Sequence, residues 1–143
     1  MSVNNLQRFL TAHEGTYETA LAEIKNGRKT GHWMWFIFPQ IKGLGFSETS
    51  MFYAIKNLEE AAAYLQHPVL GSRLIEICNE LLNLETDDAG KIFGSPDNLK
   101  LRSSLTLFSE IQNTDPVFNL VLNKFFNGVK DPKTLELLAA EKD

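Results

Sequence analysis

The sequence has one cysteine and no long hydrophobic run, and these absences exclude several classes of protein. A single cysteine, Cys78, rules out an internal disulfide framework and is typical of a protein in a reducing cytoplasm. No apolar run approaches the roughly 20 residues that cross a bilayer, and the first residues lack the basic and apolar regions of a signal peptide. We therefore expect a cytoplasmic protein without a membrane partner.

Motifs of common cofactor sites are also absent from the sequence. It has no phosphate-binding P-loop, no dinucleotide-binding fingerprint and no zinc-finger spacing. The three histidines, His13, His32 and His67, are too far apart to form a helical metal site. We therefore predict no metal and no cofactor. The net charge of −4 argues against nucleic acid as a general partner, while a local basic patch stays open.

Helix boundaries are well marked in the sequence, whose 43% hydrophobic and 22% charged content is typical of a folded domain. Asp115 and Asp131 each precede a proline, as helix N-caps often do, and Ser95 before Pro96 repeats the pattern. Glycines stand where three helices are expected to end: Gly27, Gly94 and Gly128. Apolar residues recur with helical spacing, and alternating β-branched runs are missing. Together these signals predict an all-α fold in a single domain over residues 1–143.

The predicted architecture is a compact multihelical domain of about eight helices, several of them short. The candidate segments, some of them single turns, are 2–12, 16–27, 33–38, 48–55, 57–66, 68–84, 87–93, 96–112, 116–127 and 132–140. The span 39–47 contains two glycines and is predicted to be an irregular loop. Because loops held by rigid elements often carry binding groups, this span is a candidate part of a site.

Both tryptophans, Trp33 and Trp35, lie in the aromatic segment 32–40, directly after a basic cluster that includes Lys29. Since they are two positions apart in a predicted helix, the indoles point to different sides, so one can enter the core while the other faces a cleft. Aromatic rings beside cations suit a nucleobase, a ribose or a phosphate. The alternative is that all the aromatic residues are core and that the cations complement a helix dipole.

Two further helices offer polar groups near this segment. Ser47 is predicted to cap the helix that carries Tyr53. One interpretation is that the free backbone amides at the start of that helix form an anion site; the alternative is that Ser47 caps the helix and nothing binds there. In the segment 96–112, Lys100 and Ser104 fall inside the apolar arc, where an unpaired polar group costs about 1–3 kcal/mol. One interpretation is that both side chains line a cleft together with the aromatic segment. The alternative is that the lysine extends its ammonium group to solvent and that the serine hydroxyl donates to a carbonyl of its own helix.

These observations lead to the hypothesis of one ligand site for a nucleotide-like small molecule. The residues assigned to binding are Lys29, Trp33, Trp35, Gln40, Ser47, Tyr53, Lys100, Arg102 and Ser104. The indoles stack a planar group, the cations hold phosphate or carboxylate, and the amide and hydroxyl groups give direction. If the protein is an enzyme, we expect N-glycosidic hydrolysis with His32 or Glu48 as acid or base. The alternative is a non-enzymatic interaction or regulatory module that docks an unknown protein.

The same segments resemble a known family over nearly the whole chain. The residues that carry the resemblance are 32–35, 38–40, Gly43, Gly45, 64–65, 67–71, 93–97 and 100–108. They are similar to the signature of the bacterial domain-of-unknown-function family number 1810. The resemblance implies a compact multihelical fold and leaves the function unsettled. Members are sometimes labelled calpastatin, a calpain inhibitor that acts as a flexible chain, and the aromatic, helix-punctuated composition here argues against calpain inhibition.

A weaker similarity is to the helical family that acts on ADP-ribosyl or phosphoribosyl N-glycosidic bonds. The segment 45–53 resembles a loop of that family in which a threonine-serine-glutamate step is followed by an aromatic residue. In this chain Glu48 precedes Thr49 instead of following it. The resemblance implies glycosidic chemistry, with Glu48 as the matching acid.

Overall fold

The computed structural model describes residues 5–141, and within them the chain forms ten helices joined by turns and loops. The helices are α1 (Gln7–His13), α2 (Tyr17–Lys25), α3 (Met34–Ile37), α4 (Glu48–Tyr53), α5 (Leu58–Gln66), α6 (Leu70–Asn83), α7 (Ala89–Phe93), α8 (Asp97–Ser109), α9 (Val117–Phe126) and α10 (Pro132–Glu141). In this part of the chain the only β geometry is one isolated bridge between Ile41 and Ile55. The predicted all-α fold is confirmed. None of the helices over 5–141 has the length and hydropathy that spanning a bilayer requires.

Side chains at several helix starts explain where the helices begin. Asp131 accepts a hydrogen bond from the backbone amide of Thr134 at 3.1 Å, so its predicted cap is confirmed. Asp115 accepts from the amide of Val117 at 2.8 Å, but the cap position of α9 belongs to Pro116, so Asp115 lies one residue before the cap. The prediction that Ser95 caps α8 is wrong. The cap position belongs to Pro96, whose ring offers no acceptor, and the first turn has Asp97 as its acidic residue instead.

Helix α8 lies at the centre of the fold, in contact with α5, α7, α9 and α10. Its residues 103–109 are all buried, although three of the seven are serines and one is a threonine. Most of these hydroxyls are satisfied within the helix: Ser103, Thr106 and Ser109 donate to carbonyl oxygens three or four residues back, at 3.2, 2.8 and 2.7 Å. A helix buried on nearly all sides is a rigid support for the one end that reaches the surface, where Lys100 lies.

A buried histidine holds the single-turn helix α3 in place through a hydrogen bond. His13 is 2% exposed, and its Nε2 donates to the carbonyl oxygen of Phe36 at 2.8 Å, while Arg73 approaches its Nδ1 at 3.3 Å. The hydroxyl of Tyr64 donates to the same carbonyl at 3.3 Å. This pairing assigns His13 to the neutral form with the proton on Nε2. Burial lowers the pKa of His13 below its usual value, the bond to Phe36 opposes this change, and the charge of Arg73 adds to it.

Acidification is therefore expected to destabilise the protein through His13. Because the pKa of the folded state lies below the ordinary value of 6.5, the unfolded chain binds the extra proton first. The free energy of unfolding should fall as the pH drops below about 6.5. Denaturant titrations at several pH values, on the wild type and on His13→Gln, measure this contribution. The variant should be less stable at pH 7.5 and should lose less stability on acidification; equal slopes for the two proteins contradict the assignment.

Candidate functional site

A single carboxylate holds the aromatic segment against α2. Oε1 of Glu23 accepts hydrogen bonds from the backbone amides of Thr30 and Gly31, at 2.7 and 2.9 Å, and from the indole Nε1 of Trp33 at 2.9 Å. Desolvation favours a raised pKa for this carboxyl, but the three hydrogen bonds outweigh it and hold the pKa of Glu23 below its usual range. Glu23 therefore stays ionised and fixes both the turn and the indole.

The two tryptophans lie in different environments, as predicted. Trp33 is 1% exposed and packs against the rings of Phe38 and Phe93, with centroids 6.2 and 6.4 Å away. Trp35 is half-buried. The Nζ atom of Lys29 lies 5.1 Å from the ring centre of Trp33, and Nζ of Lys100 lies 5.5 Å from that of Trp35. Trp33 belongs to the core, whereas Trp35 has a face that reaches the surface of the site.

Asp97 connects the two cation–indole pairs. Its Oδ2 atom is 2.8 Å from Nζ of Lys29, and its Oδ1 atom is 3.4 Å from Nζ of Lys100. Lys29 also donates to the carbonyl oxygen of Gly31 at 2.5 Å. Two lysines share one aspartate, so the group carries a formal charge of +1 beside Trp35. An ammonium close to an aromatic face contributes about 0.5–1 kcal/mol when exposed and more when desolvated.

A small cavity lies beside Trp35 and the loop 39–47. It has a volume of about 10 Å³ and is lined by Trp35, Gln40, Ile41, Gly45, Ser50, Tyr53 and Ala54. This volume corresponds to about one water molecule. Gln40, Ser50 and Tyr53 are the cavity's polar or hydroxyl-bearing lining residues. The cavity therefore offers polar groups that a ligand can pair with.

A larger, shallow and open groove also borders Tyr53. It measures about 420 Å³ and is lined by Glu48, Thr49, Phe52 and Tyr53. Phe52 is 56% exposed although it is a large apolar residue. Tyr53 lines both this groove and the cavity beside Trp35.

The remaining predicted site residues lie elsewhere. Ser47 is exposed, and its Oγ accepts from the amide of Ser50 at 3.1 Å as the predicted cap of α4. Ser104 is fully buried, and its hydroxyl has no partner among the described residues. Arg102 is two positions from Lys100, on another side of α8, with Nη2 3.6 Å from Oδ1 of Asp131.

His32 is exposed ahead of α3 and lines neither the cavity nor the groove. The structure thus brings together Lys29, Trp33, Trp35, Gln40, Tyr53 and Lys100, places Glu48 in the groove that Tyr53 also lines, and does not bring Arg102 to them.

Sequence analysis missed three residues of this site: Glu23, Ser50 and Asp97. Asp97 stands three positions before Lys100, a spacing that predicts an ion pair on one helix face, so this contact was detectable. Glu23 carried no such signal because its three donors come from a turn that folds back onto α2. Over residues 5–141, no group of three or more histidine, cysteine or acidic side chains is placed to hold a metal ion.

Removal of the Glu23 carboxylate should destabilise the aromatic segment. In Glu23→Ala the buried indole nitrogen of Trp33 loses its acceptor, and an unsatisfied buried donor costs about 1–3 kcal/mol. Glu18→Ala, an exposed acid on the same helix, is the matched control. Urea unfolding should show the larger loss for Glu23→Ala, together with a red shift of tryptophan emission in the native state. Equal losses in the two variants contradict the anchoring role.

Comparison with known proteins places the chain among relatives without an assigned activity. Residues 3–138 match a family model described as a protein of unknown function, DUF1810. The crystal structure of a conserved hypothetical protein from Mycobacterium tuberculosis is 44% identical in sequence, with a TM-score of 0.92. That similarity covers 94% of this chain and 96% of the other. No curated protein matches. The resemblance to domain-of-unknown-function family 1810 is confirmed, and the function has to be argued from the site.

Proposed function

We propose, from the premise that this chain belongs to the DUF1810 family of proteins of unknown function, that it binds a nucleotide-like small molecule beside Trp35 and α4. The observation that carries the proposal is the position of Tyr53. Its ring forms a wall of the cavity with Trp35 and Gln40, and also a wall of the groove with Glu48. Tyr53 therefore adjoins an aromatic residue and polar residues in the cavity and an acidic residue in the groove.

The sizes of the two spaces suggest how such a ligand lies. Small-molecule sites commonly occupy about 300–1,000 Å³, and the groove of about 420 Å³ falls in that range. The cavity of about 10 Å³ accepts one small polar group at most. We therefore assign the planar part of the ligand to the groove, against Phe52 and Tyr53. One polar substituent then pairs with Gln40.

The charges near Trp35 favour an anionic group on that ligand. The cluster of Lys29, Asp97 and Lys100 carries a formal charge of +1, and Lys100 is only half-buried. Lysine binds phosphate as a compact point charge. A phosphate or carboxylate close to Trp35 would approach Lys100 without displacing Asp97 from Lys29, because the two lysines occupy different oxygens of that aspartate.

The groove also supports a chemical step, N-glycosidic hydrolysis. In this step Glu48 takes a proton from a water molecule, and the water oxygen bonds to the anomeric carbon. The carbon–nitrogen bond then breaks, and the departing base takes the bonding electron pair and the proton that Glu48 received from the water. Glu48 is exposed at the start of α4 and lines the groove. His32 lines neither space, so this step uses Glu48 alone.

Substitution of Tyr53 tests the proposed site. Tyr53→Leu removes the aromatic wall, and because stacking contributes about 1–3 kcal/mol per base, affinity for ADP-ribose should fall by about tenfold or more. Isothermal titration calorimetry measures this change. Phe126→Leu, which alters a half-buried aromatic residue outside both spaces, is the control and should bind like the wild type. Wild-type affinity in Tyr53→Leu contradicts the site.

Glu48→Gln separates binding from chemistry in the same experiment. The amide keeps the shape of the side chain but cannot accept the proton from water, so binding should persist while release of the base stops. Chromatography of incubated ADP-ribose, NAD and phosphoribosyl compounds detects the released base. Equal turnover by Glu48→Gln and the wild type contradicts the assigned step and leaves the binding result independent.

One observation favours a second function, a protein-interaction module. Phe46, Met51 and Phe52 are 80%, 59% and 56% exposed on the loop 39–47 and α4, and adjoining apolar residues of this exposure are typical of docking surfaces. Phe46 lies outside the cavity and the groove. Under this function, Phe46→Ser should reduce association of the protein in analytical ultracentrifugation while ADP-ribose affinity stays unchanged. A monomeric wild type at high concentration contradicts self-association through this surface.

A further inference from the structure

A basic cleft lies between the turn after α2 and helix α7, and of the residues that line it the proposed function uses only Lys29. It has a volume of about 480 Å³ and is lined by Arg28, Lys29, Gly90, Lys91, Ile92, Phe93 and Gly94. We infer that this basic cleft is a second binding site, which takes a phosphate-bearing anion of the pyrophosphate type.

Backbone contacts hold the two walls of the basic cleft together. The amide of Lys29 donates to the carbonyl oxygen of Ile92 at 2.7 Å, which ties the turn to α7. The amide of Arg28 donates to the carbonyl of Glu23 at 3.0 Å. Gly27 and Gly94, with φ of +76° and +73°, end the two helices and let the chain turn at each wall. The positions of Arg28 and Lys91 are therefore set by hydrogen-bonded backbone.

The charge in the basic cleft is not neutralised by its surroundings. Three of its seven lining residues are cationic and none is acidic. Asp97, at 2.8 Å, neutralises Lys29, whose side chain is 8% exposed. Arg28 and Lys91 are exposed and have no ion-pair partner among the described residues. In a chain with a net charge of −4, two free cations across one cleft form a local site of positive potential.

The carboxylates nearest in sequence are already committed elsewhere. Glu23 accepts the amides of the turn and the indole of Trp33, and Oδ1 of Asp88 accepts the amides of Gly90 and Lys91 at 2.9 and 3.3 Å. Neither carboxylate lines the basic cleft. An anion that enters it therefore meets Arg28 and Lys91 unpaired, while Asp97 pairs with the third lining cation, Lys29.

The geometry and residue types select phosphate chemistry. Arginine offers a planar pair of N–H donors that matches two phosphate oxygens, and lysine offers a compact charge for a second phosphate group. A Cβ atom built on Gly94 would have no neighbour within 4 Å, so an anion can approach the backbone there. Ile92 and Phe93 supply an apolar floor. The inference involves neither Trp35 nor Tyr53, so it stands or falls separately from the proposed function.

Titration of the intact protein with inorganic pyrophosphate tests the basic cleft. We expect saturable binding by isothermal titration calorimetry, with an affinity that falls as the salt concentration rises. Arg28→Ala and Lys91→Ala should each weaken binding about tenfold, which corresponds to about 1.4 kcal/mol. Lys133→Ala removes the same charge from an exposed position on α10, outside the cleft, and should change the affinity less than about twofold.

Each outcome decides the inference. Absence of saturable binding by the wild type overturns it, and so does an equal loss in all three variants, because then only the overall charge matters. A parallel titration with ADP distinguishes free pyrophosphate from phosphate on an organic group. If Arg28→Ala weakens the binding of both ligands, the diphosphate group itself occupies the basic cleft. If it weakens the binding of neither ligand, the inference is wrong. Circular dichroism melts confirm that the surface variants remain folded.

Discussion

The hydrogen bonds accepted by Glu23 are the interaction on which the site depends. They fix the turn 28–31 and the indole of Trp33 against α2 at the same time. With Trp33 in place, Lys29 lies beside its ring and meets Asp97, which then meets Lys100 above Trp35. A half-buried carboxylate with three donors is a strong local constraint because each donor would otherwise lose this hydrogen bond. The positions of both indoles follow from it.

The site combines a rigid helix, α8, with a more exposed loop and short helix. Helix α8 is buried on nearly all sides and satisfies most of its hydroxyls internally, so it holds Asp97 and Lys100 in fixed positions. The groove and cavity instead involve a loop, 39–47, and the short helix α4, whose side chains are largely exposed. Binding groups on loops held by a rigid support are the usual arrangement of ligand sites.

Local signals predicted the fold well because helix ends are decided by neighbouring residues. Asp131 caps a helix through an amide three positions ahead, and the split between Trp33 and Trp35 agrees with their separation of two positions at the start of α3. Contacts that need a chain reversal were not predictable in this way. Arg102 was grouped with Lys100 by sequence proximity, yet its angular position on α8 directs it to Asp131. The basic cleft pairs Arg28 with Lys91, residues that are distant in sequence and carry no shared motif.

The central claim is that Trp33 is structural and Trp35 faces the ligand. Two single-tryptophan proteins test it directly: Trp33→Phe, in which only Trp35 emits, and Trp35→Phe, in which only Trp33 emits. Both are titrated with ADP-ribose, with correction for its absorbance. The account predicts a saturable change in the emission of Trp35 and a blue-shifted emission of Trp33 that does not respond. An unresponsive Trp35, or an equal response from both indoles, would contradict it.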